Sequence, residues 1–131
     1  MKHDALRSPL AKARGLGSGK HGFSHWWGQR LTAIALVPLS IWFMCNLLGK
    51  LVGATRFDIA LWLESPFNAL LTAALLLVLT IHARLGLQVV IEDYIHQKCM
   101  NIALIIFNTF LFVAVAALGL MAVFKLHFFG I

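Results

Sequence analysis

Charge is what this sequence has least of. Asp, Glu, Lys and Arg make up 12% of its 131 residues, about half the roughly 25% of an ordinary soluble domain. Acidic groups number only five, and there is a single tyrosine. The two cysteines, Cys45 and Cys99, form no zinc-type pairing. One falls inside a hydrophobic run and the other at the edge of a different run, so a structural disulfide between them is not expected. Internal repeats and low-complexity tracts are absent, and nothing in the chain resembles a soluble catalytic domain.

What is present is hydrophobic and continuous. Leu31–Gly49, Ser65–Ala83 and Cys99–Phe124 contain no Asp, Glu, Lys or Arg. Each is close to the roughly 20 residues a helix needs to cross about 30 Å of hydrocarbon. Backbone groups in that medium have no water to bond, so runs this long must be helical. The expected fold class is therefore an all-α membrane protein with three transmembrane helices, about 25–52, 65–94 and 100–126. Residues 1–24 form a basic arm, and 25–131 form the three-helix anchor domain.

The formal net charge of +6 does not point to nucleic acid, because the cations are not spread over a surface. Lys2, Arg7, Lys12, Arg14, Lys20 and Arg30 precede or open the first run, and Lys98 lies in the second loop. The first loop and C-terminus hold Lys50, Arg56 and Lys125. Leaving out Arg84, inside the second span, the division is seven to three. Basic residues near span ends stay on the cytoplasmic side, which places the N-terminus in the cytoplasm and the C-terminus in the periplasm. The basic n-region is too long, and the first apolar run exceeds a signal peptide's core, so a cleaved leader is not expected. The arm, with Gly15, Gly17, Gly19 and Gly22, can serve as an insertion signal or bind a partner or anionic lipid.

Trp26 and Trp27 stand where an interfacial aromatic belt is expected, and Pro38 lies inside the first span. The 53–64 loop is short, mixed in charge and without a catalytic constellation. The third span is aliphatic and aromatic except for Asn101, Asn108 and Thr109, which reads as a lipid-facing and packing surface.

The exceptional segment runs from His82 to Tyr94. Ionisable groups inside a span are costly and are functional candidates by default. At about 100° per residue, eleven steps return within roughly 20° of the start, so His82 and Asp93 share a face about 16 Å apart along the axis. Gly86 lies on that face and leaves a notch where a flat ligand or a second helix can approach. Three readings of His82 stand open: a polar side chain bonding a neighbouring helix, a member of a proton relay, or an axial haem ligand. A relay needs several ionisable groups in series, and the span offers few. A haem would need its second ligand from another chain, because no other of these spans contains a histidine. Arg84 points roughly opposite to His82 and can snorkel outward. Arg30, at a similar depth, and Arg84 can each bind a haem propionate or a lipid phosphate. Tyr94 is an interfacial anchor or, beside the Asp93 carboxylate, a hydrogen-bond donor to a quinone carbonyl.

The pattern His82-x-x-x-Gly86 followed by Asp93-Tyr94 resembles the D-type membrane-anchor subunit family of succinate dehydrogenase, respiratory complex II. Arg30-Leu-Thr-Ala-Ile34 resembles the family's Arg-x-Thr-Ala-Ile opening of helix 1. Three spans and an inside N-terminus extend the likeness over essentially the whole chain. Arg84 stands where some members have tryptophan, and the Ser-Pro-His arm of the sister C-type anchors is missing.

The resemblance implies that His82 is one axial ligand of a haem b shared with a sister C-type anchor subunit, with its iron as the metal. Arg30 would face a haem propionate. Tyr94 would hydrogen-bond ubiquinone and Asp93 would orient that pocket. FAD and the iron–sulfur clusters would reside in a flavoprotein subunit and an iron–sulfur subunit docked on the cytoplasmic face of a bacterial inner membrane. Two alternatives stay open, the anchor of a quinol:fumarate reductase and a non-redox membrane scaffold. The seven-to-three division makes a first prediction: a reporter fused after Ile131 reads periplasmic and one inserted near Gln97 reads cytoplasmic. The reverse pattern would overturn the orientation.

Overall fold

A computed structural model of the chain describes residues 19–130, so most of the expected basic arm lies outside the described residues. Its elements are α1 (Gly19–Asn46), a π-helical turn (Leu47–Leu51), a short α2 (Arg56–Glu64), α3 (Pro66–Tyr94) and α4 (Lys98–Phe129). Three stretches are long and apolar enough to cross a membrane: Ser24–Leu51, Pro66–Tyr94 and Lys98–Phe129. They match the expected spans to within a few residues at each end.

Two of the differences have consequences. Helix α4 continues past Lys125 to Phe129, because a lysine stem can lie along apolar surface while its ammonium reaches water. That extension brings His127 into a span, and the first span includes His25, so His82 is not the only histidine the spans contain. The 53–64 loop holds a helix. Gly53, at φ +79°, turns the chain out of the π-helical segment through the left-handed region that glycine adopts without strain. Thr55 then caps α2. Its hydroxyl accepts from the Asp58 backbone N–H at 3.3 Å, and its own backbone N–H donates to the Asp58 carboxylate at 2.9 Å. This reciprocal box satisfies donors a helix start would otherwise leave unpaired.

Helix α3 is central: α1 and α4 both pack on it, and α2 folds against α3 and α4. Small residues make this approach feasible. Ala60, Ala69 and Ala73 are buried, and Gly119 of α4 lies against the Leu76 side chain of α3 with no room for a Cβ. Small side chains at helix seams are the usual route to close packing where lipid tails remove any hydrophobic drive between helices. Large apolar residues such as Ile34, Leu70 and Phe110 face outward instead, each about two-thirds exposed at 68%, 68% and 70%.

The polar residues of α4 are not a bland surface. Asn108 is the most buried side chain described, at 2% exposure, and its amide donates to the Arg84 carbonyl of α3 at 3.0 Å. Asn101 donates to the Ile95 carbonyl at 3.0 Å and to Ile91 at 3.3 Å, satisfying acceptors at the end of α3. Thr109 bonds only its own helix, at the Ile105 carbonyl. At the opposite end, Trp42 stacks on Trp62 with centroids 5.7 Å apart. The Trp62 indole donates to Asn46 at 3.2 Å, and His127 Nδ1–H donates to the Leu63 carbonyl at 2.8 Å. These bonds pin α2 across the ends of α1 and α4.

Two expected outcomes follow from this packing. Gly119→Val forces Leu76 aside and lowers stability by about 1–3 kcal/mol, whereas Gly49→Ala, with nothing within 4 Å of the added carbon, stays within about 0.5 kcal/mol. Denaturant titration of the purified assembly measures both, and equal effects would refute the seam. The second outcome concerns Asp58. The Thr55 hydroxyl, then the Thr55 backbone N–H, hold its carboxyl below its ordinary 3.8. Stability from that carboxylate is therefore full above the ordinary carboxyl pKa and is lost as pH falls through the depressed one. Amide exchange in the first turn of α2 should accelerate, beyond its intrinsic pH trend, on acidification through that window. In Asp58→Asn this added acceleration should vanish.

Candidate functional site

The seam between α1 and α3 is where His82 sits. Glycine brings the two backbones together on both sides. A Cβ at Gly28 would lie 3.4 Å from the Leu85 side chain, and one at Gly86 would lie 3.3 Å from Gln29 Nε2. Leu85 is buried and His82 half-buried. Spacing of one and four residues puts Gly28, Gln29 and Thr32 on the side of α1 that faces His82.

The His82 ring is held at both nitrogens. Nδ1 is 2.9 Å from the Thr32 hydroxyl. That hydroxyl lies 2.8 Å from the Gly28 carbonyl and 3.0 Å from the Gln29 carbonyl. A hydroxyl has one proton, and in the helix it goes to these carbonyls, so the oxygen receives a hydrogen bond from His82 Nδ1–H. This assigns the tautomer and leaves Nε2 unprotonated, an acceptor. Gln29 Nε2 is 3.5 Å from it, at the outer edge of hydrogen bonding. The Gly86 notch is therefore filled by the end of the Gln29 side chain.

Beside this pair a groove of about 710 Å³ runs between α1 and α3, lined by Ser24, His25, Trp26, Gln29, Arg84 and Gln88 among others. Three of its polar atoms, His25 Nε2, Gln29 Oε1 and Arg84 Nε, are buried with no hydrogen-bond partner. Unpartnered buried polar atoms are uncommon in native proteins and call for an explanation. Arg84 thus departs from the simple snorkelling expectation, since its Nε is enclosed within the seam. At the groove's end Gln88 donates to Glu92 at 2.8 Å.

The remaining expected site residues fall at one end of the bundle. Arg30 is exposed, with its guanidinium carbon 4.5 Å from the centroid of the Trp26 ring, a cation–π contact. Asp93 and Tyr94 form the last residues of α3, and Tyr94 is 77% exposed. The fold brings His82 together with Thr32 and Gln29. It does not bring Asp93 or Tyr94 into contact with them, because these lie eleven and twelve residues further along the same helix. Among the described residues no group of three or more His, Cys, Asp or Glu gathers as a metal site. What the α1–α3 seam offers is one oriented imidazole, that of His82.

Residues 4–116 match the family described as succinate dehydrogenase/fumarate reductase transmembrane subunit. The chain belongs to that family. It is 36% identical to the succinate dehydrogenase hydrophobic membrane anchor subunit of Rickettsia conorii over 114 residues, 86% of this chain and 90% of the relative. With the subunit of the same name from Rickettsia bellii it shares 38% over 102 residues, 77% of this chain and 80% of that one. The Paracoccus denitrificans subunit of that name is 31% identical over 110 residues, 84% of each chain. The resemblance drawn from His82, Gly86, Asp93 and Tyr94 therefore holds, and the three apolar helices make this family member a multi-pass membrane protein.

Within the family region, sequence reasoning quoted Thr32 only as part of a helix opening, passed over Gln29, gave His25 no role, and read Asn108 as a polar break on a lipid-facing and packing surface. A signal for the first two was present. Polar residues three apart, on a helix otherwise apolar beyond Arg30, mark one face, and that face meets α3.

Proposed function

We propose that this chain is the anchoring and electron-transfer subunit of a succinate:ubiquinone oxidoreductase, in which His82 is one axial ligand of a haem b. The observation that carries this reading is the state of the His82 ring. Its Nδ1–H is bonded to Thr32, and its Nε2 faces a notch left by Gly86 with only a 3.5 Å amide beside it. Ligating histidines typically donate their other ring N–H to a fixed acceptor. A porphyrin brings its own equatorial nitrogens and asks the protein only for axial donors, which suits a lone imidazole. The carboxamide of Gln29, with an unpartnered Oε1, is weakly held and can swing out of the notch.

Haem b, when bound, supplies a one-electron relay of tunable potential. The chain's own residues do the rest. His82 would hold the group on α3, and the sister C-type anchor would supply its other protein ligand. Arg30 is about 3 Å nearer the helix start than Thr32, at a depth suited to a propionate, and its stacking on Trp26 leaves its N–H edge free to donate. At the end of α3, the Tyr94 hydroxyl donates a hydrogen bond to a ubiquinone carbonyl, and Asp93 orients that pocket by its charge. The exposure of both suits a site completed by other chains, namely the sister anchor and the iron–sulfur subunit. The FAD of the flavoprotein subunit would be the source of the electrons delivered to that end. The seven-to-three division of basic residues supports an N-terminus inside, with this end on the cytoplasmic face of a bacterial inner membrane.

Tyr94→Phe tests the quinone assignment in the assembled complex. The variant keeps the ring and deletes one neutral hydrogen bond, a loss of about 0.5–1.5 kcal/mol, or roughly a few-fold to tenfold in quinone-reductase efficiency. Succinate oxidation with a dye that takes electrons at the soluble subunits should stay near wild type. Asp93→Asn should behave similarly. Unchanged quinone reduction in Tyr94→Phe would return that residue to the role of interfacial anchor.

A further inference from the structure

We infer that Thr32 is a positioning residue for the haem site: through His82 Nδ1 it fixes the tautomer, ring plane and donor strength of the axial ligand. The inference rests on the reading of His82 as that ligand and goes beyond it to a residue on a different helix.

The geometry is closed at every step. A hydroxyl beside a histidine can either donate or accept, and which one it does decides which ring nitrogen keeps its proton. At Thr32 the choice is made by the helix. The carbonyls of Gly28 and Gln29, at 2.8 and 3.0 Å, take the hydroxyl proton, as threonine commonly does three to four residues back in a helix. The oxygen then has only lone pairs to offer His82, so Nδ1, at 2.9 Å, must carry the hydrogen. Nε2 is left unprotonated and able to bind iron. The opposite tautomer would put a proton on Nε2 and two lone pairs against each other at Nδ1. Threonine is also β-branched, with few side-chain rotamers open to it in a helix, so the acceptor does not wander and the imidazole plane is fixed with it. A bond accepted from Nδ1–H increases the electron density the imidazole gives to a metal. That favours the ferric over the ferrous state.

The test uses the assembled complex and three variants. Thr32→Val keeps the shape and branching but loses the acceptor, and Thr32→Ser keeps the hydroxyl. Thr32→Ala removes the acceptor with less bulk, in case valine hinders assembly. The readouts are haem content, the ferric low-spin resonance, which reports axial-ring orientation, and the haem midpoint potential. Losing an outer partner of a metal ligand typically weakens retention 10- to 100-fold. Valine and alanine should therefore lower haem content in dilute detergent, shift the low-spin resonance and raise the midpoint potential. A tenfold relative weakening of the ferric form corresponds to about 59 mV for one electron. Serine should restore wild-type values. His82→Leu separates the two levels of the argument. If it removes the low-spin signal while Thr32→Val and Thr32→Ala keep wild-type potential, resonance and haem content, the inference about Thr32 is overturned and the axial assignment stands. If His82→Leu retains an unchanged low-spin haem, the axial assignment fails and Thr32 falls with it.

Discussion

A polar atom inside a bilayer has no water to return to, and that constraint organises this protein more than any single apolar contact. Hydrophobic side chains gain little from meeting one another when lipid tails are the alternative, so large apolar residues cover the outward faces of α1, α3 and α4 while small and polar residues set the closest approaches at the seams. Asn108 reaching the Arg84 carbonyl, Asn101 closing the end of α3, and His127 donating to Leu63 each satisfy a group that lipid would leave stranded. The Thr32–His82 bond belongs to the same set. It differs in that it holds one ring nitrogen and leaves the other an acceptor facing the Gly86 notch.

Helix α3 carries the consequences because it is the shared helix. It receives α1 on the side of His82, Leu85 and Gly86 and is tied to α4 through the Arg84 carbonyl. Its far end presents Asp93 and Tyr94. A ligand at Nε2 and a reaction at Tyr94 would thus be fixed on one rigid rod, about 18 Å apart along its axis. The exposure of Asp93 and Tyr94 and the unpartnered atoms of the α1–α3 groove have the same physical meaning. Both are surfaces suited to completion by other chains of an assembly, in keeping with the family to which this chain belongs.

Much of this was legible in the sequence, for identifiable reasons. Spans of charge-free residues have one backbone solution in lipid, so three helices and their approximate ends followed from length alone. The eleven-residue spacing of His82 and Asp93 could be turned into a common face by helical geometry. What could not be read was anything set by contact between helices. The partner of His82 depends on which face of α1 meets α3, and a fifty-residue separation in sequence conceals it. Helix α2 was missed because nine residues carry little periodic signal, although Thr55 and Asp58 spelled its capping box. The interior role of Asn108 was missed because an asparagine on an apolar helix looks the same whether it faces lipid or a neighbouring carbonyl.

In the proposed arrangement His82 offers Nε2 to an iron while Thr32 holds Nδ1. An electron-microscopy map of the native complex, purified with its partner chains and resolved well enough to place imidazole rings, tests this most directly. It should show His82 Nε2 at bonding distance from a haem iron, Nδ1 facing the Thr32 hydroxyl, and the Gln29 carboxamide withdrawn from the Gly86 notch. A map in which a side chain of another subunit fills that notch and His82 merely hydrogen-bonds to it would contradict the account.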